Sequence, residues 1–409
     1  MFEPSETLAA SGKWMLPDGV EDLLPHQAAS IERLRRAVLD LYASWGYQLV
    51  VPPMIEFLDS LLTGVGSDLE LQTFKVTDQL SGRMLGIRAD MTPQVARIDA
   101  HQSMAGGVDS SNQRNRYCYV GSVLKTRMES VLATRTPTQS GCELYGEASI
   151  AGDIEVLSMM LEVLDRAGLP SVHVDLAHVG FIRKVMQLAG FDPKMDSKLL
   201  DVLNRRAVAE LDVIATAASD PQLAALIKAL PSLGGPASVL EDARELCHFD
   251  HELLAAISEI ETLGQAVTSR YPSANIRYDL CELRGLNYHT GLMFAAYTGD
   301  YGQAIGYGGR YDNIGLAFGS RRPATGFSID LKVLHKLAVG HVPSERSAIL
   351  APADDSPSLW QYIHTLRKTE KVIQLLPGQG ATDYATVCDR QIVAADEPDK
   401  WQLMPLLAL

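Results

Sequence analysis

Apolar positions after Pro25 recur every three or four residues. Ile31, Leu34, Val38, Leu41, Tyr42 and Trp45 fall on one face of a helix, and Gly46 ends it. Upstream, Leu16-Pro17-Asp18-Gly19 reads as a turn, and residues 1–15 read as a loose tail. Tyr47–Val51 then reads as a strand closed by Pro52-Pro53 at a sheet edge. Further strand signals lie at Thr73–Val76, Met84–Ile87, Tyr117–Lys125 and Ser140–Ser149. They are short and bounded by turns, the pattern of an antiparallel sheet. Pro93–His101 reads as a helix between them. A second helix spans 153–167, with Ile154, Leu157, Leu161 and Leu164 on one side, followed by a strand at Val172–Ala177.

The pattern changes over residues 180–268. Strand signals vanish and helical spacing takes over, first through Leu199, Leu203, Leu211 and Ile214. It continues through Leu223, Leu226, Ile227 and Leu230, and then through Leu253, Ile257, Ile260 and Leu263. Strands resume at Ile276–Leu280, Gly291–Tyr297 and around Ala304–Tyr307. A helix is expected from about Ala324 to Ala338. After Pro343 a smaller α/β pattern begins, with strands at Ala348–Leu350, Val372–Leu376 and Gln391–Ala394 and a helix at Leu359–Lys368. The expected organisation is a core in two parts, 1–179 and 269–341, a helical insertion at 180–268, and a small C-terminal α/β unit at 342–409. The fold class is α+β, an antiparallel sheet flanked by helices.

Composition narrows the function. The chain has 409 residues, enough for two or three domains. Its net charge of -14, with no long basic run, argues against nucleic acid as the main partner. Five scattered cysteines without a CxxC pair argue against a zinc site or a disulfide framework and fit reduced thiols in the cytoplasm. The histidines show no metal-ligand spacing. No apolar stretch is long enough to span a membrane, and the N-terminus lacks the apolar core of a signal peptide.

Four segments concentrate polar residues: Arg88–Arg97, Gln139–Gly146, Leu283–Gly291 and Gly308–Asp312. Glu143 stands in an otherwise apolar strand, on the same side as Gln139. A buried carboxylate there costs several kcal/mol unless it meets a cation or donors. A ligand ammonium group answers that need, and so does a structural arginine. Gly302–Gly309 admits two readings, a phosphate cradle or close packing of backbone. It lacks the Gly-Lys-Ser/Thr ending of a phosphate loop. From the residues alone, the chain carries a small-ligand site on an antiparallel sheet.

Several of these segments resemble histidyl-tRNA synthetases, a class II synthetase family. Leu16–Gly19, Asp22–Pro25, Gly46–Glu56 and Arg88–Arg97 resemble the opening of that fold. Tyr119–Gly146 resembles motif 2, and Gly326–Ile329 the start of motif 3. Arg284-Gly-Leu-Asn-Tyr and Gly308-Gly-Arg-Tyr-Asp resemble the two signatures specific to histidine. The resemblance covers about residues 15–335. It implies that Asp90, Thr92, Gln139 and Glu143 hold the amino group of histidine, through charge-assisted hydrogen bonds. It further places Arg284 near the carboxylate, and Tyr288, His289 and Tyr311 around the imidazole. His289 stands where the family has a tyrosine.

The ATP half of the pattern does not carry over. Lys125 replaces an arginine with a bidentate fork. Arg127 replaces a glutamate, Ala133 an arginine, Asp330 a glycine and Val333 an arginine. Each charge-assisted hydrogen bond is worth about 1.5–3 kcal/mol, so losing two removes roughly 3–6 kcal/mol, about a hundred- to twenty-thousand-fold in affinity. The segment after motif 3 is shorter than an anticodon-binding domain. Such a chain is similar to the regulatory subunits of ATP phosphoribosyltransferase. That resemblance implies no catalysis of its own and no cofactor. It implies a short-form catalytic partner in a hetero-octamer containing dimers of this chain, and histidine as effector in the first step of histidine biosynthesis. Competing readings are an active histidine–tRNA ligase, another histidine-activating enzyme, and a scaffold in which Asp90 and Glu143 pair with arginines such as Arg88 or Arg97. The C-terminal unit reads either as a remnant of an anticodon domain or as a docking module.

Overall fold

The computed structural model describes residues 15–64, 66–105, 113–128, 133–286, 288–299, 301–338, 348–384 and 386–406. The expected loose tail and the expected boundary at 341/342 lie outside the described residues, apart from residue 15. Contacts divide the chain into two compact units, Met1–Val339 and Gly340–Leu409.

The first unit is built on a nine-stranded sheet. Its spatial order is Gln48–Leu49, Asn115–Ser122, Thr138–Tyr145, Ala324–Asp330, Tyr301–Arg310, Leu292–Thr298, His173–His178, Asn275–Asp279 and Gly234–Gly235. Pairing is antiparallel except at Gln48–Leu49 with Asn115–Ser122 and at His173–His178 with Asn275–Asp279. One face of the sheet is covered by apolar side chains of the Pro25–Ser44, Ile150–Arg166 and His251–Arg270 helices. Tyr42 meets Phe327 edge-on at 6.2 Å between ring centroids, and Leu157, Met160, Leu164 and Leu176 are fully buried in the same core. Each such side chain contributes about 1.5–3 kcal/mol of transfer free energy. Pro25 opens the first of these helices at the position where its missing N–H costs nothing.

The stretch expected to be one helix from Ala324 divides in two. Ala324–Asp330 is a central strand, and only Leu331–Leu337 is helical. Six of the strand's seven residues are buried, because side chains on both faces are covered. A strand buried on both sides has no alternation to reveal it. Asp330 marks the switch: its carboxylate accepts from Lys332 N at 3.0 Å and so caps the helix.

Between Val179 and Arg270 the chain forms six α-helices and one 3-10 turn, interrupted by the two-residue strand Gly234–Gly235, which had no sequence signal. Asp250 caps the last helix, accepting from Glu252 N at 2.9 Å and Leu253 N at 3.0 Å. Asp250→Ala is expected to cost about 0.5–2 kcal/mol, read as a lower urea midpoint at unchanged slope. A midpoint that stays in place would show the cap to be idle.

The glycine-rich segment is the strand Tyr301–Arg310 inside the sheet. A Cβ at Gly308 would stand 2.8 Å from the Phe294 ring, so close packing, not a phosphate cradle, accounts for that glycine. Arg310 is structural as well. It donates to Asp153 at 2.6 and 3.1 Å and to the carbonyls of Glu147 and Ser149. Smaller strands Ile55–Phe57, Met84–Ile87 and Phe74–Thr77 form a separate antiparallel sheet.

The second unit is a four-stranded sheet in the order Lys371–Gln374, Ala348–Ala351, Cys388–Ala394, Trp401–Pro405. Ile349, Leu359, Ile363, Val372 and Ile392 pack between it and the helix Pro357–Leu366. The last strand was not expected. Most of its residues are exposed, so it leaves no apolar pattern.

Candidate functional site

The sheet face opposite the long helices carries the polar segments. Cross-strand register sets Glu143 beside Gly326, Gly326 beside Gly309, and Gly309 beside Met293. A Cβ at Gly326 would collide with Glu143 Oε2 and stand 2.5 Å from the Tyr311 hydroxyl. Gly326 thus opens the space into which both groups point.

A chain of hydrogen bonds holds this floor. Gln139 accepts from Met91 N at 2.9 Å and donates to Asp90 Oδ1 at 2.7 Å and Ser328 Oγ at 2.8 Å. Asp90 also accepts from Thr92 N at 3.0 Å, at the start of the helix Thr92–Ala105. The Thr92 hydroxyl lies 3.1 Å from the Tyr119 hydroxyl, which donates to Glu143 Oε1 at 3.0 Å. Gln139 therefore positions Asp90, since its amide is already engaged by protein groups. Tyr119 and Ser328 had not been singled out in the sequence. Their hydroxyls reach the site only because the strands pair in this register.

Glu143 is 1% exposed, and its Oε2 makes no hydrogen bond among the described residues. The same holds for the buried Tyr288 and Tyr311 hydroxyls and for His289 Nδ1. Buried polar atoms are nearly always paired, so a convergent group of unpaired ones marks a ligand position. Burial, with the nearby Asp90 charge adding to it, pushes the Glu143 carboxyl well above the usual carboxylate range, against the opposing pull of the Tyr119 and Thr92 hydroxyls. A bound cation would restore its ionised form. Around it the Tyr288 and Tyr311 rings lie 5.2 Å apart at 32°. His289 stands edge-on to both, at 5.3 and 6.4 Å. Burial pushes His289 down to about 4, so its imidazole is neutral at pH 7, with one nitrogen donating and the other accepting. Gly285, at φ +72°, makes the turn that brings His289 in; a Cβ there would strike the imidazole.

Seven of the eight expected site residues gather on this face. Arg284 does not contact them. Its backbone N donates to Glu282 at 2.7 Å and its Nε at 2.9 Å, Nη2 pairs with the same carboxylate, and the guanidinium lies 5.7 Å from the Tyr297 ring. Asn287, within the same motif, lies outside the described residues. Arg88 and Arg97, the alternative partners for Asp90 and Glu143, are committed elsewhere. Arg88 donates to Pro52 O at 2.6 Å and Ser122 O at 2.9 Å, and Arg97 to Glu56 at 2.6 Å.

Beside Asp90 and Gln139 runs a cleft of about 290 Å³, lined also by Lys125, Ala133, Tyr307, Asp330 and Val333. Asp330 accepts from Thr138 N and Lys332 N at 3.0 Å each, and burial pushes its carboxyl up to about 6. Because the folded value exceeds the ordinary 3.8, the carboxylate destabilises the fold progressively as pH rises through that interval. The penalty is on the order of 3 kcal/mol above pH 6 and absent below pH 4. Asp330→Asn keeps an acceptor for both N–H groups. It should stabilise the protein by about 1–2 kcal/mol at pH 8 and by nothing at pH 3.5. Urea titrations at the two pH values decide; equal gains at both would assign the effect to packing.

A histidyl-tRNA synthetase family model matches residues 19–334, and a model of the ATP phosphoribosyltransferase subunit HisZ C-terminal domain matches residues 346–404. The chain is 47% identical to an ATP phosphoribosyltransferase regulatory subunit of Hahella chejuensis, over 98% of each chain. It is 48% identical to one of Azotobacter vinelandii, over 98% of this chain and all of the other. Among solved structures, a Bacillus halodurans ATP phosphoribosyltransferase regulatory subunit/histidyl-tRNA synthetase superposes with TM-score 0.75 at 24% identity, covering 91% of this chain and 95% of that one. A histidyl-tRNA synthetase from Nostoc sp. PCC 7120 superposes with TM-score 0.77 at 16% identity, covering 96% and 97%. These likenesses show the class II synthetase fold.

Proposed function

The chain belongs to the family of ATP phosphoribosyltransferase regulatory subunits, and on that premise we propose that it is a non-catalytic subunit that binds histidine at the Glu143 cluster and uses it to regulate a short-form catalytic partner. The observation that carries this reading is the unpaired buried carboxylate oxygen of Glu143 beside the unpaired hydroxyls of Tyr288 and Tyr311, with the neutral His289 ring edge-on to both. The carboxylate suits the ammonium group and the rings suit an imidazole. Histidine would bind one arrangement of the complex better than another and shift the population toward it. A coupling of about 1–3 kcal/mol gives 5- to 150-fold inhibition. The complex would be a cytoplasmic hetero-octamer containing dimers of this chain. Among the described residues no helix is long and apolar enough to cross a membrane.

The test is phosphoribosyl-ATP formation by the short phosphoribosyltransferase of the same organism, with and without this chain, titrated with histidine. Activity raised by the chain and then suppressed by histidine is the expected result. No activation would end the regulatory reading, and activation indifferent to histidine would end the effector assignment.

A further inference from the structure

Tyr145 ends the strand Thr138–Tyr145 and is 2% exposed, yet its hydroxyl makes no hydrogen bond among the described residues. By alternation its side chain shares a face with Gln139 and Glu143. Gln139 reaches Asp90 at 2.7 Å, so the order Gln139, Glu143, Tyr145 runs away from Asp90 along that face. At the far end Tyr145 shares a cross-strand row with Tyr311. Tyr145 pairs with Ala324, and Tyr311 N donates to Ala324 O at 2.8 Å. With strands about 4.8 Å apart, the two tyrosines start about 10 Å apart. Only the methyl group of a fully buried alanine stands between them in the row. Tyr145, Ala324 and Tyr311 belong to one buried cluster, and Tyr288 packs against it.

Neighbouring polar groups are engaged elsewhere. Tyr117, whose ring lies 6.2 Å from that of Tyr145, donates to Gln102 at 2.5 Å. Tyr119 donates to Glu143 at 3.0 Å. Asp99 accepts from Arg322 at 2.9 and 3.0 Å and from Asn115 at 2.6 Å. Burial, with Glu143 the strongest of the nearby charges, pushes the Tyr145 hydroxyl well above the usual tyrosine range, so it keeps its proton. The cluster thus holds three tyrosine hydroxyls without a protein partner, those of Tyr145, Tyr288 and Tyr311. A hydroxyl both donates and accepts, so it can serve either nitrogen of an imidazole. A ring without nitrogen would leave such hydroxyls unpaired, and a site built this way rejects the analogue more strongly than an apolar pocket does.

We propose that the Tyr145 hydroxyl hydrogen-bonds a ring nitrogen of the amino-acid effector, so that this tyrosine makes the site select a nitrogen heterocycle over an aromatic ring without nitrogen. The proposal rests on the histidine-binding reading above.

The test is calorimetric titration of the full chain, alone and with its phosphoribosyltransferase partner, with L-histidine and with L-β-(2-thienyl)alanine, whose five-membered ring has no nitrogen. The unsubstituted chain should prefer histidine. Tyr145→Phe should weaken histidine by about 5- to 150-fold, the cost of leaving a buried polar atom unpaired, and should change thienylalanine affinity by less than about twofold. Tyr117→Phe, which removes a hydroxyl already bonded to Gln102, should keep the preference. Without ligand, Tyr145→Phe should hold or raise the urea midpoint, because no hydrogen bond within the protein is lost. A lowered midpoint would show that the hydroxyl serves the fold and would overturn the assignment. Unchanged histidine affinity in Tyr145→Phe would overturn it too, as would equal weakening of both ligands or an equal loss of preference in Tyr117→Phe. If the unsubstituted chain bound neither ligand in either setting, the histidine reading itself would fall, and the tyrosine assignment with it.

Discussion

Glu143→Gln is expected to weaken histidine binding by roughly 30- to 5,000-fold, the range for removing one partner of a buried charge pair, while activation of the phosphoribosyltransferase persists. The substitution is nearly isosteric, and Tyr119 can still donate to the remaining carbonyl oxygen, as it does to Oε1 at 3.0 Å. What disappears is the acceptor facing the ligand ammonium. The fold should not suffer, because the carboxylate is 1% exposed and its Oε2 has no hydrogen-bond partner among the described residues. Removing such a group relieves desolvation. Proton exchange gives an independent readout. With its carboxyl pushed well up by burial, the empty site holds a proton on Glu143 that an arriving ammonium displaces. Between the ordinary and the raised value, binding by the unsubstituted chain should strengthen as pH rises. Titrations in two buffers of different ionisation enthalpy, run within that interval, should report proton release on binding, and Glu143→Gln should release none from this site. An unchanged affinity in the variant would remove Glu143 from the ammonium position.

Legibility differed from residue to residue for physical reasons. Glu143 announced itself because an ionisable group in an apolar strand needs an explanation. Tyr119 did not, since a tyrosine in a strand is ordinary; its role depends on pairing with Thr138–Tyr145, which no local pattern encodes. Gly326 opens the site only because Glu143 and Tyr311 approach it from a neighbouring strand and a following turn. The strand around it was misread as helix because burial on both faces erased its period. Arg284 was matched by motif alone; its pairing with Glu282, two positions upstream, carried no sequence signal. The antiparallel sheet itself was readable, since most of its strands are short and bounded by turns. Leu292–Thr298, with four of its seven residues buried, left a readable run, whereas the half-exposed Trp401–Pro405 left none.

The chain should catalyse no histidine-dependent exchange of pyrophosphate into ATP, at any histidine concentration that saturates its site. The cleft beside Asp90 explains why. Adenylation needs cations on the triphosphate and open space for adenine, and two of the positions where the family places such groups are filled here by Ala133 and Val333. Lys125 remains, but as a single ammonium without a bidentate fork. Asp330 adds a carboxylate whose two backbone donors, Thr138 N and Lys332 N, fix it in place. Above its value of about 6 it carries a negative charge toward any phosphate that enters. Losing two charge-assisted contacts alone weakens ATP by about a hundred- to twenty-thousand-fold, before that repulsion is counted. Acid conditions that neutralise Asp330 should not rescue exchange, because the missing arginines stay missing. Neither should Asp330→Gly by itself, which removes the repulsion but returns no cation. Measurable exchange by the unsubstituted chain, dependent on histidine and absent with other amino acids, would instead make it a histidine-activating enzyme and reassign the cleft as a working nucleotide site.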